Sequence, residues 1–137
     1  MHIKFTYIIT FLILMFSHSY STEQQPDILK WNSKRFRLYV GWWDPSPFQI
    51  YLAENNIQLN TKCPYGGTNN YREHIAYWEI IDSKLYFTAI AYARWWKSDT
   101  SCNKMIPASS MIAKSNLDSN GYAFANWYSG ILVIYEM

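Results

Sequence analysis

Outside its first 21 residues the chain has one histidine, His74, and that bounds the chemistry open to it. A metal site with several imidazole ligands cannot be assembled there from a single chain. A zinc site would need His74, Cys63, Cys102 and a carboxylate, at spacings that match no usual zinc pattern. A Ser-His-acid triad would need His74 as base, and no Gly-x-Ser-x-Gly presents the serine. Gly66-Gly67 is followed by no Lys-Ser/Thr, so it is not read as a phosphate loop. The residues therefore point to no catalytic set, no metal and no cofactor. The acid–base arrangement left to weigh is a carboxylate pair for glycoside hydrolysis, with Glu79 first and Glu73 or Asp82 nearby. The plainer reading has Glu79 in solvent or paired with a basic side chain, and Asp82 serving a turn. Arg72 and Arg94 could grip a carboxylate in a forked contact, although surface solvation is the commoner fate.

Binding chemistry has better candidates. Trp42-Trp43 stands in a Gly-Trp-Trp-Asp-Pro-Ser-Pro stretch, and Trp95-Trp96 follows Arg94. Proline and glycine break regular structure at the first pair. Tryptophan on a rigid loop suits a sugar ring or a peptide, and it is enriched at binding hot spots. The competing reading has these rings capping the core beneath their loops. Trp42, Trp43, Arg94, Trp95 and Trp96 are the binding candidates.

The element best placed to organise these residues runs from Ile75 to Ala91. It reads as two strands joined by a turn at Asp82-Ser83. Ile80 then faces Leu85, Trp78 faces Phe87 and Ala76 faces Ala89, all on one apolar side. Lys30 to Val40 ends in a second alternating run, with Arg35, Arg37 and Tyr39 on one side and Phe36, Leu38 and Val40 on the other. Its basic residues fit the solvated face of an edge strand better than a nucleic-acid contact. Phe48 to Glu54 fits a short helix or, almost as well, a strand. Met105 to Leu117 includes at most a short helix, and Asp118 to Gly121 is a turn. Ile131 to Ile134 reads as a buried strand, with Gly130 marking a bulge or a close backbone approach. Ser21 to Asp27 is read as a loose arm.

Lys4, the apolar run Phe5 to Phe16 and the small residues around Ser19 to Ser21 have the layout of a secretory signal. Twelve residues of helix span about 18 Å, short of the roughly 30 Å core of a bilayer. The expectation is a signal peptide over 1–21, a single domain over 22–137, and export to the periplasm or the outside of the cell. Membrane contact is then confined to the signal before cleavage. Removing the signal takes away only Lys4 of the 12 basic residues, against 10 acidic ones. That near balance gives no steering toward nucleic acid. In an exported chain, Cys63 and Cys102 read as one disulfide across the central hairpin. Closing a loop of about 40 residues contributes on the order of 3–4 kcal/mol.

Two blocks carry a resemblance. The first is Tyr71-Arg72, Ile75-Ala76, Trp78-Glu79-Ile80, Asp82 and Lys84-Leu85-Tyr86. The second is Phe124-Ala125-Asn126-Trp127-Tyr128-Ser129-Gly130, followed by Leu132 and Ile134. Together they resemble a family of small bacterial proteins with no established activity. Tyr71 stands where that family has Trp, and Glu73-His74 where it has Gly-Tyr. The resemblance implies a bacterial origin and a β-rich domain, makes Trp78, Glu79 and Trp127 framework residues, and transfers no catalytic residue.

The fold class expected is mainly β: a small antiparallel sheet closing toward a barrel or sandwich, with one or two short helices. Its core would draw on Leu38, Val40, Trp78, Ile80, Leu85, Phe87, Leu132 and Ile134. The function expected is a non-enzymatic binding module for a protein partner or an envelope polymer, an immunity or inhibitor role included. The alternatives are a hydrolase using Glu79 and a structural envelope component.

Overall fold

Two hairpins with matching turns set the frame. The computed structural model describes residues 25–39, 44–59, 72, 74–92 and 105–137. Strands β1 (Asp27–Trp31) and β2 (Lys34–Tyr39) are joined by Asn32-Ser33. Strands β3 (His74–Ile81) and β4 (Lys84–Tyr92) are joined by Asp82-Ser83. All four turn residues have positive φ: 49° and 63° in the first turn, 48° and 60° in the second. Two-residue turns of this kind match the twist of the strands they join, and Asn and Asp tolerate the left-handed region at modest cost.

The expected register of the central hairpin holds near its turn, where Ile80 faces Leu85 and Trp78 faces Phe87. Beyond Trp78 it shifts by one residue. Tyr77 faces Ala89 and Ala76 faces Ile90, not Ala89. Thr88 is the extra residue of this bulge, and its Oγ1 donates to the Tyr77 carbonyl at 3.1 Å. Such a bulge lets consecutive side chains break the strict alternation. Ala89 and Ile90 are both buried as a result.

The fold is mainly β, as its sequence indicates. The strands form one open sheet, ordered β5 (Ile106–Pro107), β4, β3, β1, β2, β7 (Val133–Glu136), with β6 (Ala123–Phe124) also on β4. Strands β5 and β6 follow one another along the outer edge of β4. Strand β7 lies antiparallel to β2 at the other edge. The sheet is mixed, because β1 runs parallel to β3. Parallel neighbours need a crossover, and the segment between β2 and β3 supplies it. The edges stay apart, so the sheet does not close into a barrel.

Helix α1 (Pro47–Glu54) lies in that crossover. Its start decides helix over strand. The Gln49 amide donates to Ser46 Oγ at 3.2 Å, and the Ser46 amide donates to Gln49 Oε1 at 2.9 Å. This reciprocal cap satisfies donors that the first turn would otherwise leave unmade, and Pro47 suits the first helical position. The helix buries Pro47 and Phe48, and Phe48 carries the ring contacts. Its ring stacks on Phe87 at 4.4 Å and meets the edge of His74 at 5.2 Å.

The core joins Leu29, Leu38, Phe48, Ala76, Trp78, Phe87 and Ile90 with Ala108, Ile112, Ala123 and Ala125. Of the residues expected there, Leu38, Trp78 and Phe87 are buried, while Ile80, Leu85, Leu132 and Ile134 pack against it partly exposed. Val40 lies outside the described residues. Four local expectations are corrected. Ile131 is 90% exposed and precedes the strand, which as an edge strand turns only Ile134 toward the core. Strand β2 lies between β1 and β7 and is no edge. The stretch after Met105 holds β5 and two 3-10 turns, Ala108–Ser110 and Lys114–Asn116, with no α-helix. Asp27 is not in a loose arm; it opens β1 and is fully buried. Gly130 does mark a close approach, since a Cβ there would meet Tyr128 Oη at 2.6 Å.

Candidate functional site

Two places gather polar side chains. The first is the start of β1 and β3, where Asp27 is enclosed. Asp27 Oδ1 accepts from the Ala76 amide at 3.0 Å and lies 3.0 Å from Arg72 Nη1. Asp27 Oδ2 accepts from Trp78 Nε1 at 3.2 Å. Arg72 Nη2 also donates to the Gln25 carbonyl at 2.6 Å. Burial pushes the Asp27 carboxyl up, while the Arg72 guanidinium and the two N–H donors pull it back. His74 Nδ1 lies 2.6 Å from the Arg72 carbonyl, which can only accept, so Nδ1 carries the proton. Burial first, and the Arg72 charge second, lower the His74 pKa to about 4. His74 is therefore a neutral imidazole at neutral pH, wedged against Phe48. The cluster stitches β1 to β3. The Asp27 carboxylate itself is fully buried.

Glu79 is held elsewhere. It pairs with Lys30 at 2.8 Å, its register neighbour across the parallel strands. This is the plainer of the two readings its sequence context allows. Asp82 sits exposed in its turn, and Glu73 lies outside the described residues. Among the described residues no three of His, Cys, Asp and Glu gather in a way that could hold a metal ion.

The second place is a groove of about 540 Å³ between α1, the 3-10 turns and β6. Ile112 lies in it, and the rings of Tyr51, Tyr86, Phe124 and Trp127 line it. Tyr51 and Trp127 meet at 4.7 Å with a 49° tilt, and Tyr86 and Phe124 at 5.7 Å with a 45° tilt. Trp127 Nε1 donates to the Pro47 carbonyl at 2.7 Å, which anchors the segment after β6 to the first turn of α1. The indole N–H is thereby used in holding the wall. Burial keeps the Tyr51 phenol above its usual pKa, so its hydroxyl stays protonated. The amides of Asn55, Asn116 and Asn126 complete the rim. Among the described residues the lining has one carboxylate, Asp118, and it is occupied. Asp118 Oδ1 accepts from the amides of Asn120 and Tyr122 at 2.9 and 2.8 Å, and Oδ2 from Asn120 Nδ2 at 3.3 Å. A second hollow of about 390 Å³, at the end of α1, has no aromatic residue among the described residues of its lining.

Trp42, Trp43, Arg94, Trp95 and Trp96, the binding candidates from sequence, lie outside the described residues, as do Cys63 and Cys102. The groove was missed in sequence because its residues come from α1, β4, the 3-10 turns and the segment around β6. Tyr51, Tyr86 and Trp127 lie far apart in the chain, and no motif or spacing links them. Comparison with family models, with curated proteins and with solved structures gives no match.

Proposed function

We propose that this chain is an exported, non-enzymatic binding module whose ligand lies in the groove between α1 and β6. The observation that carries the reading is the groove's make-up. Among the described residues, four aromatic rings and three side-chain amides surround it, and the one carboxylate there is taken up by its own turn. Acid–base hydrolysis needs two carboxylates free to exchange protons, whereas recognition needs ring faces and hydrogen-bonding groups held in place. The signal-like start of the chain and the resemblance to small bacterial proteins support placing the module in the cell envelope or outside the cell. A protein partner and an envelope polymer both fit the reading.

The test is retention. Purified protein, immobilised, is exposed to the envelope fraction of a bacterial host. Specific retention of one polymer or one protein is expected, and Phe124→Ala should abolish it. Phe124 is 43% exposed, so the change leaves the core intact. Equal retention by the variant would remove the groove from the function.

A further inference from the structure

We infer that the ligand of this groove is an uncharged saccharide, its ring laid against the aromatic wall and its hydroxyls bonded to the amides. The inference rests on the binding-module reading above and names the ligand of that same site.

Charge narrows the choice first. Among the described residues the lining contains no lysine, arginine or histidine, so a phosphate, sulfate or carboxylate would meet no countercharge from them. A cation would have to compete with the three N–H groups that already occupy Asp118. The cation placed near this wall is Lys84, and it is directed at the Phe124 ring, 5.6 Å from its centroid. A neutral ligand is what remains.

Polarity narrows it further. A wholly apolar ligand would cover Asn116 and Asn126 and strip them of water without replacing their hydrogen bonds. Each amide both donates and accepts, and so does each sugar hydroxyl. Asn55 already gives one donor to the Tyr51 carbonyl at 2.9 Å, which fixes the orientation of its amide. Ser115 Oγ lies 3.5 Å from Asn116 Oδ1, which places a hydroxyl and an amide side by side on the rim. An extended peptide would instead seek a free strand edge, and the rims here are side chains from a helix and from turns.

Shape agrees. Aromatic faces offer flat apolar surface, and a pyranose ring presents a matching face of C–H groups. The volume of about 540 Å³ lies within the roughly 300–1,000 Å³ usual for small-ligand sites.

The experiment titrates the purified full chain with four neutral tetrasaccharides: cellotetraose, chitotetraose, maltotetraose and laminaritetraose. Tetragalacturonate is the anionic comparison. Calorimetry reads the binding, and circular dichroism checks each variant's fold. At least one neutral tetrasaccharide should bind, and tetragalacturonate should not. Phe124→Ala and Asn126→Ala should each weaken binding about tenfold or more, while Tyr51→Phe should change it little. Two outcomes overturn the inference: no neutral sugar binds at its highest soluble concentration, or binding is unmoved by both wall variants. If no sugar binds yet Phe124→Ala still abolishes envelope retention, the saccharide falls and the binding module stands. If Phe124→Ala alters neither, both fall.

Discussion

The two hairpins share one turn geometry, and each sets an apolar residue against a lysine beside its turn, Trp31 against Lys34 and Ile81 against Lys84, but they diverge at the next pair. In β3–β4 the pairs next to the turn include Ile80 with Leu85 and Trp78 with Phe87, so the hairpin's own cross-strand contacts bury apolar surface. In β1–β2, Lys30 faces Arg35 and Trp31 faces Lys34. Like charges directly opposite one another work against a hairpin. Relief comes from outside: Glu79 of β3 pairs with Lys30, and Glu136 of β7 pairs with Lys34 at 2.7 Å. The first hairpin depends on its neighbours, drawing one carboxylate from the second hairpin and the other from β7. Identical backbone chemistry at a turn therefore specifies a hairpin's shape without making it self-sufficient.

The comparison breaks most severely at the stitch between the hairpins. Asp27→Ala would leave Arg72 in a largely buried position without its carboxylate partner and Trp78 Nε1 without an acceptor. Losing one member of a buried pair costs about 3–5 kcal/mol. Urea denaturation should show a loss of that size, and a loss below about 1 kcal/mol would show that the stitch does not hold the hairpins together.

Acid should act at the same junction. His74 titrates near 6.5 when unfolded and at about 4 when folded, so the unfolded chain binds the extra proton first. Stability from this group is complete well above pH 6.5 and is lost as the pH falls to about 4, about 3 kcal/mol in all. Asp27, raised by burial, has the opposite sign: folded Asp27 keeps its proton to higher pH, so this group favours the fold less as pH rises. Denaturation midpoints between pH 7.5 and 4.5 should fall for the native chain and change far less for His74→Gln. Parallel slopes for the two proteins would assign the acid sensitivity to another group.

The turns sharpen the comparison at a smaller scale. Ser33 and Ser83 sit at φ of 63° and 60°, where glycine carries no steric penalty. Ser33→Gly and Ser83→Gly should each stabilise by up to about 1 kcal/mol, read as a rise in the thermal midpoint. Equal gains would mean that both hairpins unfold in one cooperative step. A gain confined to Ser83→Gly would mean that β1–β2 detaches earlier.

The smallest effect is expected at the borrowed charge. Glu79→Gln leaves Lys30 facing Arg35 with its carboxylate removed. The loss should be slight at low ionic strength and should vanish in concentrated salt, because the Lys30 head group is solvent-exposed. A loss that persists in salt would point to packing of the Glu79 stem in place of charge.

What the sequence made legible was local. Asp82-Ser83 and the alternation on either side of it lie within one short stretch, so period-two patterning alone finds the hairpin. The Asn32-Ser33 turn escaped because the basic residues around it read as one continuous charged run. The bulge at Thr88 was hidden for a different reason: an extra residue leaves the composition unchanged and shows only in which side chains are buried. Helix α1 was decidable in principle, since Ser46 followed by Gln49 is a reciprocal cap and a strand has no use for one. The Asp27–Arg72–Trp78 cluster joins residues some fifty positions apart, and no periodicity connects them. The groove spans four separate segments and was equally out of reach.

The parallel pairing of β1 with β3 has a consequence for the order of events during folding. The β3–β4 hairpin closes over two residues, and hairpins of this kind form in about 1–10 μs. Leu29 reaches its place beside Trp78 only after a loop of nearly fifty residues has closed, a step whose entropy must be met before its contacts exist. Until then one edge of β3 is bare, and Asp27 and Arg72 remain in water as separate ions. The interval between the two closures is when this chain is most open to pairing with another copy of itself, and its length is set by β1, not by the hairpin that dominates the sequence.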